Sequence, residues 1–166
     1  MADPHIRPAR QSDLPAVGEI TVEAYVADGH VTAQDDYAAN LADAASRFRD
    51  AELLVAVDDA DEVLGSVTVV HPGTPYAEIS RPGELEFRML SVASSARGKG
   101  VGEALVRAVV EKARAAGVSD LVLSSSEKMR SAHRLYERLG FIRLPERDWS
   151  PVPGLKLVAY AYGLPL

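Results

Sequence analysis

The chain has 166 residues, 47% of them apolar and 25% charged, the balance of an ordinary soluble protein, and we expect a single domain over residues 1–166. Its net charge of −6 argues against a nucleic-acid binder, and the absence of cysteine removes disulfides, thiolate nucleophiles and Cys-based metal sites. His5, His30, His71 and His133 lack ligand spacing, no apolar run approaches the roughly eighteen residues of a membrane span, and the first residues carry no secretory signal. No metal, no membrane partner and a cytoplasmic address are therefore expected.

Along the chain, residues 6–9 read as an edge strand, where Pro8 is tolerated. Ser12 reads as an N-cap with Pro15 in the first turn, opening a helix over 13–25 whose apolar side is Leu14, Val17, Ile20, Val22 and Ala24. A second helix is expected over 33–48, with Leu41, Ala44, Ala45 and Phe48 as its buried stripe and a loop at 29–32 before it. Residues 52–57 and 63–70 form a hairpin. Pro72, Gly73, Pro75, Pro82 and Gly83 then break up a loop of about a dozen residues, a length often tied to function.

A strand over 84–92 leads into a glycine-rich turn and a helix over 101–116 closed by Gly117. A strand at 121–125 and a helix at 128–139 ended by Gly140 follow, and strands at 141–144 and 155–162 close the chain around a connector at 145–154. This order implies a mixed α/β sheet flanked by about four helices.

The segment Arg97, Gly98, Lys99, Gly100, Val101, Gly102 carries the most chemical information. Glycines let the backbone approach a ligand, and the helix that follows aims its unpaired N–H groups and positive dipole end at the same point. Such a junction binds phosphate. Neither the Walker A spacing nor the dinucleotide fingerprint fits, since Glu103 or Leu105 stands where the third glycine belongs. A helix start with two solvated basic residues and no ligand is the bland alternative.

The stretch 84–92 followed by Arg97 to Gly102 resembles motif A of the GNAT superfamily of N-acetyltransferases, Gln/Arg-x-x-Gly-x-Gly/Ala after a long strand. Ala132, Leu135, Tyr136, Glu137, Gly140 and Phe141 are similar to that superfamily's A-x-x-L-Y-E-x-x-G-F segment, in matching order and spacing. The resemblance implies a central, mostly antiparallel sheet with one splayed parallel strand pair, and acetyl-CoA as cosubstrate. It implies that Arg97, Gly98, Lys99, Gly100, Val101 and Gly102 hold the pyrophosphate, and that the main chain of Leu90, Ser91 and Val92 holds the pantetheine arm. Met129 stands where many members carry Asn, and Ser131 or the run Ser124, Ser125, Ser126 is the polar substitute.

Transfer from a thioester to an amine requires that the amine lose a proton, that an oxyanion be stabilised and that the thiolate be protonated. Without cysteine, direct attack in a ternary complex is the simplest route. Tyr136 matches the family's general acid; a phenol of pKa about 10 can protonate a thiolate whose parent thiol has pKa about 8.5. Glu86 matches a glutamate that some members use as base, with water or His71 as fallback. Strand alternation puts Glu84, Glu86, Arg88 and Leu90 on one face and Leu85, Phe87 and Met89 on the core face. A surface cluster of Glu84 or Glu86 with Arg88 is the structural alternative.

The acceptor side is expected to include Tyr25, His30, Asp35, Asp36, Tyr37, His71, Tyr76 and Trp149. The expected acceptor is a small-molecule primary amine. A peptide or protein N-terminus, and a non-catalytic acyl-CoA sensor, are the alternatives. A homodimer is left open, and no nucleic-acid partner is expected.

Overall fold

The computed structural model describes residues 3–27 and 36–164. The expected loop at 29–32, with His30 and Asp35, lies outside them. Among the described residues, eight strands form one sheet in the order β1 (His5–Pro8), β2 (Glu52–Val57), β3 (Val63–Val70), β4 (Glu84–Val92), β5 (Asp120–Ser126), β8 (Leu155–Gly163) and β6 (Ile142–Arg143), with β7 (Trp149–Val152) also on β8. Five α-helices accompany it: α1 (Leu14–Ala27), α2 (Asp36–Ala42), α3 (Ala44–Asp50), α4 (Val101–Ala116) and α5 (Arg130–Arg138). None is long and apolar enough to cross a membrane.

Each sheet face is covered because the strands alternate. In β2, Leu54 and Ala56 join the core under α4 with Leu105, Val106 and Val109, while Leu53, Val55 and Val57 join Val17 of α1 and Ala44 of α3. The stripe Val101, Leu105, Val109 and Ala113, repeating every four residues, fixes which face α4 buries. Gly117 closes α4 at φ 72°, its N–H returning to the carbonyls of Ala113 and Arg114.

Three local readings are corrected. The helix expected over 33–48 is two helices, because Asp43 leaves helical geometry and caps α3, accepting from Ser46 N–H at 3.1 Å and Ser46 Oγ at 2.6 Å. Ser12 is not the cap of α1. A 3-10 turn at Gln11–Asp13 precedes that helix, and the Asp13 carboxylate accepts from Arg10 N–H at 2.7 Å and from Arg7 Nη1 and Nη2. The connector at 145–154 contains β7, whose pairing with β8 is irregular between Trp149 and Val152.

The feature that makes room for a site lies in β4. It pairs with β5 in parallel only from Glu84 opposite Asp120 to Glu86 opposite Val122, whereas β5 stays on β8 as far as Ser126 opposite Leu157. The two strands therefore splay beyond Glu86. On the other edge, Ser66 pairs Ser91 and Thr68 pairs Arg88, so Met89 and Leu90 oppose Val67 alone. This is a β-bulge. Met89 takes it up at φ 56°, a left-handed conformation that costs a side-chain-bearing residue roughly 1–2 kcal/mol.

The bulge overturns the simple alternation expected for this strand. Leu85 and Phe87 face the α4 core as expected, but Met89 packs with Tyr25, Leu41 and Met129, and Leu90 packs with the α4 core.

Candidate active site

Two hollows meet where β4 and β5 separate. The outer one is a groove of about 460 Å³ between the end of β4, the start of α4 and α5. The inner one, about 40 Å³, lies between the splayed strands and is lined by Tyr25, Tyr37, Glu78, Arg88, Ser124, Ser125 and Tyr136 among others. Leu90 and Met129 line both, so the two hollows are neighbours.

The groove's polar end is the turn before α4. Gly98 and Gly100 sit at φ 77° and 79°, where a Cβ would be strained, and the position of that missing atom is open space at both. The amides of residues 98–103 have no backbone acceptor among the described residues; the first in-helix bond runs from Ala104 N–H to the Gly100 carbonyl at 3.0 Å. Those unpaired N–H groups and the dipole of a 16-residue helix converge on one mouth. An extended pyrophosphate fits a cradle of this kind.

The ladder of β4 sets the groove's wall. Ala93 N–H donates to the Leu64 carbonyl at 2.8 Å, so Ser91 also turns its main chain toward β3; a Cβ on Gly65 would fall 2.7 Å from the Ser91 oxygen. By the same alternation, the Leu90 carbonyl and both polar groups of Val92 point away from β3, into the gap that β5 has left.

Eight of the sequence-derived cofactor residues therefore line the groove: Leu90, Val92, Arg97, Gly98, Gly100, Val101, Gly102 and Ser131. Ser91 does not line it, because its main chain serves β3 and its Oγ bonds the Met89 carbonyl at 3.2 Å. The Lys99 side chain lines a different hollow beside Asp58 and Glu62. Met129 fills the junction of the two hollows with an apolar side chain, and Ser131 lies on the groove wall beside it.

Tyr136 is brought to the inner cavity. It is 4% exposed, stacked edge-on to Phe87 with centroids 5.8 Å apart, and its hydroxyl makes no hydrogen bond to a described residue. Burial pushes its phenol well above the ordinary value, which keeps the proton on oxygen.

Glu86 is placed otherwise. It lies off the α4 core face, as alternation requires, but is fully buried and absent from the cavity wall. Its carboxylate accepts from the N–H groups of Glu78, Ile79 and Ser80 at 3.1–3.4 Å and from Ser80 Oγ at 2.8 Å. It ties the long loop down onto the sheet.

That loop delivers Glu78 to the cavity. Its Oε1 lies 2.9 Å from Arg88 Nε and accepts from Ser124 Oγ at 3.1 Å. Burial raises the Glu78 carboxyl pKa, Arg88 opposes that shift, and the neighbouring Glu86 charge adds to it. Arg88 is held further by the Tyr76 carbonyl at 3.1 Å and Tyr37 Oη at 3.3 Å. Arg147 pins the loop from outside, donating to both Glu84 oxygens at 2.7 and 2.9 Å and to the Ile79 carbonyl at 3.2 Å. The alternative pairing of Glu84 or Glu86 with Arg88 gives way to Glu84 with Arg147 and Glu78 with Arg88.

Of the expected acceptor-side residues, Tyr25 and Tyr37 line the cavity and Tyr76 lies against Arg88. His71 is at the surface on Glu52, and Trp149 is half-buried on β7. Glu78 was missed by sequence reasoning. The available signal was an acid near the end of a long Pro- and Gly-rich loop, which names no partner.

Several solved structures that share this fold are acetyltransferases. One from Staphylococcus aureus, described as an acetyltransferase of the GNAT family, superposes with TM-score 0.76 at 14% identity over 98% of this chain and 99% of its own. A GCN5-related N-acetyltransferase from Kribbella flavida gives TM-score 0.71 at 27% identity over 98% of each chain.

The model of the acetyltransferase (GNAT) family matches residues 14–141, and the chain belongs to that family. Among curated relatives, human N-acetyltransferase 8B is 33% identical over 111 residues, 65% of this chain and 48% of that protein. Zebrafish (Danio rerio) N-acetylaspartate synthetase is 42% identical over 71 residues, 43% of this chain and 25% of that protein. The chain thus spans less than half the length of either relative.

Proposed function

We propose that the protein is an acyltransferase that moves an acetyl group from acetyl-CoA directly to a primary amine of a small molecule. The observation that carries this reading is the adjacency of the phosphate-shaped groove to a cavity lined by the Glu78 carboxylate and the Tyr136 phenol. Relatives named N-acetyltransferase 8B and N-acetylaspartate synthetase support an amine acceptor.

The residues that fit the cosubstrate are the amides of the turn at 98–103 and the outward main chain of Leu90 and Val92. When bound, acetyl-CoA supplies the thioester whose acyl carbon the amine attacks. Glu78 takes the role of base first assigned to Glu86: it receives a proton as the amine nitrogen bonds to the acyl carbon. Its raised pKa suits that task, since a base is most effective near the working pH. Arg88 holds it in place and Glu86 anchors its loop.

Tyr136 gives its proton to the sulfur as the carbon–sulfur bond breaks. The burial that raises the phenol raises a thiol in the same place, so the two stay matched. The presence of both groups argues against a non-catalytic sensor, and the cavity's volume of about 40 Å³ favours a small acceptor over a peptide.

Two measurements test the reading. Acetyl-CoA should saturate the purified protein in a calorimetric titration, and a panel of amines should include one that releases free thiol. No binding at millimolar acetyl-CoA would refute it.

A further inference from the structure

Acetyl transfer to an ammonium group liberates two protons. One ends on the sulfur of the free thiol, and the other has to leave the protein. The inner cavity is about 40 Å³, space for a few waters, and shares Leu90 and Met129 with the groove where the cosubstrate would lie. A hydroxyl and an imidazole meet at its wall.

Ser125 is 8% exposed and lines the cavity with Tyr136, and its Oγ lies 3.3 Å from His133 Nε2. His133 stands on α5, one turn before Tyr136, and is half-buried with its ring 5.5 Å from that of Tyr160. Ser124, the preceding residue, is committed to Glu78 at 3.1 Å. Adjacent serines on one strand thus serve different partners: one faces the base, and the other faces the histidine.

We propose that Ser125 and His133 form the proton exit of the active site. The proton passes from the cavity to the Ser125 hydroxyl, whose own proton moves to the imidazole, and His133 then releases it to solvent. The protons balance: of the two that the ammonium loses, one restores the Tyr136 phenol that protonated the sulfur, and the other passes through Ser125 and His133, each of which gives up a proton as it gains one, to leave one proton in solution. The proposal rests on the acetyl-transfer reading above.

The surroundings of His133 suit a carrier. Burial lowers its pKa, so the ring is neutral and can accept at neutral pH; a hydrogen bond to the Ser126 main chain and the Glu137 charge oppose that shift, and Arg143 adds to it. Those groups come from every element packed around it: Ser126 from β5, Glu137 from α5, Arg143 from β6 and Tyr160 from β8. Glu137 is occupied by Tyr160 Oη at 2.8 Å, and Arg143 by Asp148. His133 is therefore the titratable side chain in this shell that reaches a cavity-lining hydroxyl.

The test is turnover of acetyl-CoA and the best amine from the panel, in dilute bulky buffer, with thiol release and proton release followed together. We expect His133→Gln and Ser125→Ala each to lower kcat about tenfold, as loss of an exit costs less than loss of a catalytic base. Apparent KM for acetyl-CoA should stay constant. Adding imidazole to His133→Gln should restore kcat most of the way, which a merely structural role would not allow. Unchanged kcat in both variants, or a loss that imidazole does not restore in a protein with wild-type melting, overturns the proposal. A wild-type protein that releases no thiol with any amine overturns the functional reading, and the exit with it.

Discussion

The groove and the inner cavity are built in opposite ways. The groove comes from contiguous chain: β4, one turn and the start of α4, with main-chain amides as its working groups. The cavity is assembled from α1, α2, the 71–83 loop, β4, β5 and α5, and its working groups are side chains held by one another. Main-chain sites depend on backbone shape, so they tolerate side-chain changes and fail when a left-handed glycine is lost. Side-chain sites depend on a chain of supports, here Arg147 to the loop, Glu86 to the loop and Arg88 to Glu78.

Four substitutions and a control should break or sharpen that contrast. The largest effect is expected from Glu78→Gln, which removes the base: kcat should fall about 10²–10³-fold while acetyl-CoA affinity holds. In the wild type, kcat/KM should rise with pH as Glu78 deprotonates, and burial places that rise above the ordinary carboxylate range. The limb should vanish in Glu78→Gln; if it persists, Glu78 is not the base.

Tyr136→Phe should lower kcat about 10²-fold, again with acetyl-CoA affinity unchanged, as read by calorimetry. An unaltered kcat removes the phenol from the reaction.

On the groove side the signature should invert. Gly100→Val forces a β-branched residue to φ 79° and puts a side chain in the mouth, so acetyl-CoA should bind about tenfold more weakly. Equal affinity would mean that the turn does not hold the cosubstrate.

Glu86→Gln tests support against chemistry. It turns amide hydrogens toward N–H donors, so the protein should lose about 1–3 kcal/mol in denaturant unfolding and the loop amides should exchange faster. Turnover should fall only several-fold, by disorder of Glu78, with the basic limb kept but moved to lower pH, because the Glu86 charge no longer raises Glu78. Loss of that limb would return the base to Glu86.

Asp13→Asn is the control far from both hollows and should leave kcat alone. The Arg7 side chain holds the Asp13 carboxyl below its ordinary value. Its contribution is therefore present above the unfolded pKa and lost as pH falls through the folded one. The acid limb of wild-type stability should flatten in the variant.

The residues named from sequence sort along the same division. Gly98, Gly100 and the helix at 101–116 were legible because a left-handed turn and a buried stripe each write a local pattern. Tyr136 was legible through the motif around it. Ser91 was assigned to the groove as a member of a motif, but the β3 ladder takes its main chain; the Lys99 amide stays in the turn while the residue also lines another hollow. Glu86 was named as base because alternation shows which face a residue occupies, whereas the donors above that face come from a loop with no periodicity.

The amino-acid sequence alone determined the glycine cradle, the strand that precedes it, the tyrosine on α5 and the membership of the chain in its family. Each depends on residues near one another in the chain, whose dihedral and packing preferences act over a turn or two. Tertiary structure decided the bulge at Met89, the splay of β4 from β5, the delivery of Glu78 and the pairing of Ser125 with His133. Those depend on which distant segments compete for the same hydrogen-bond partners and the same buried space, a balance that no local pattern records.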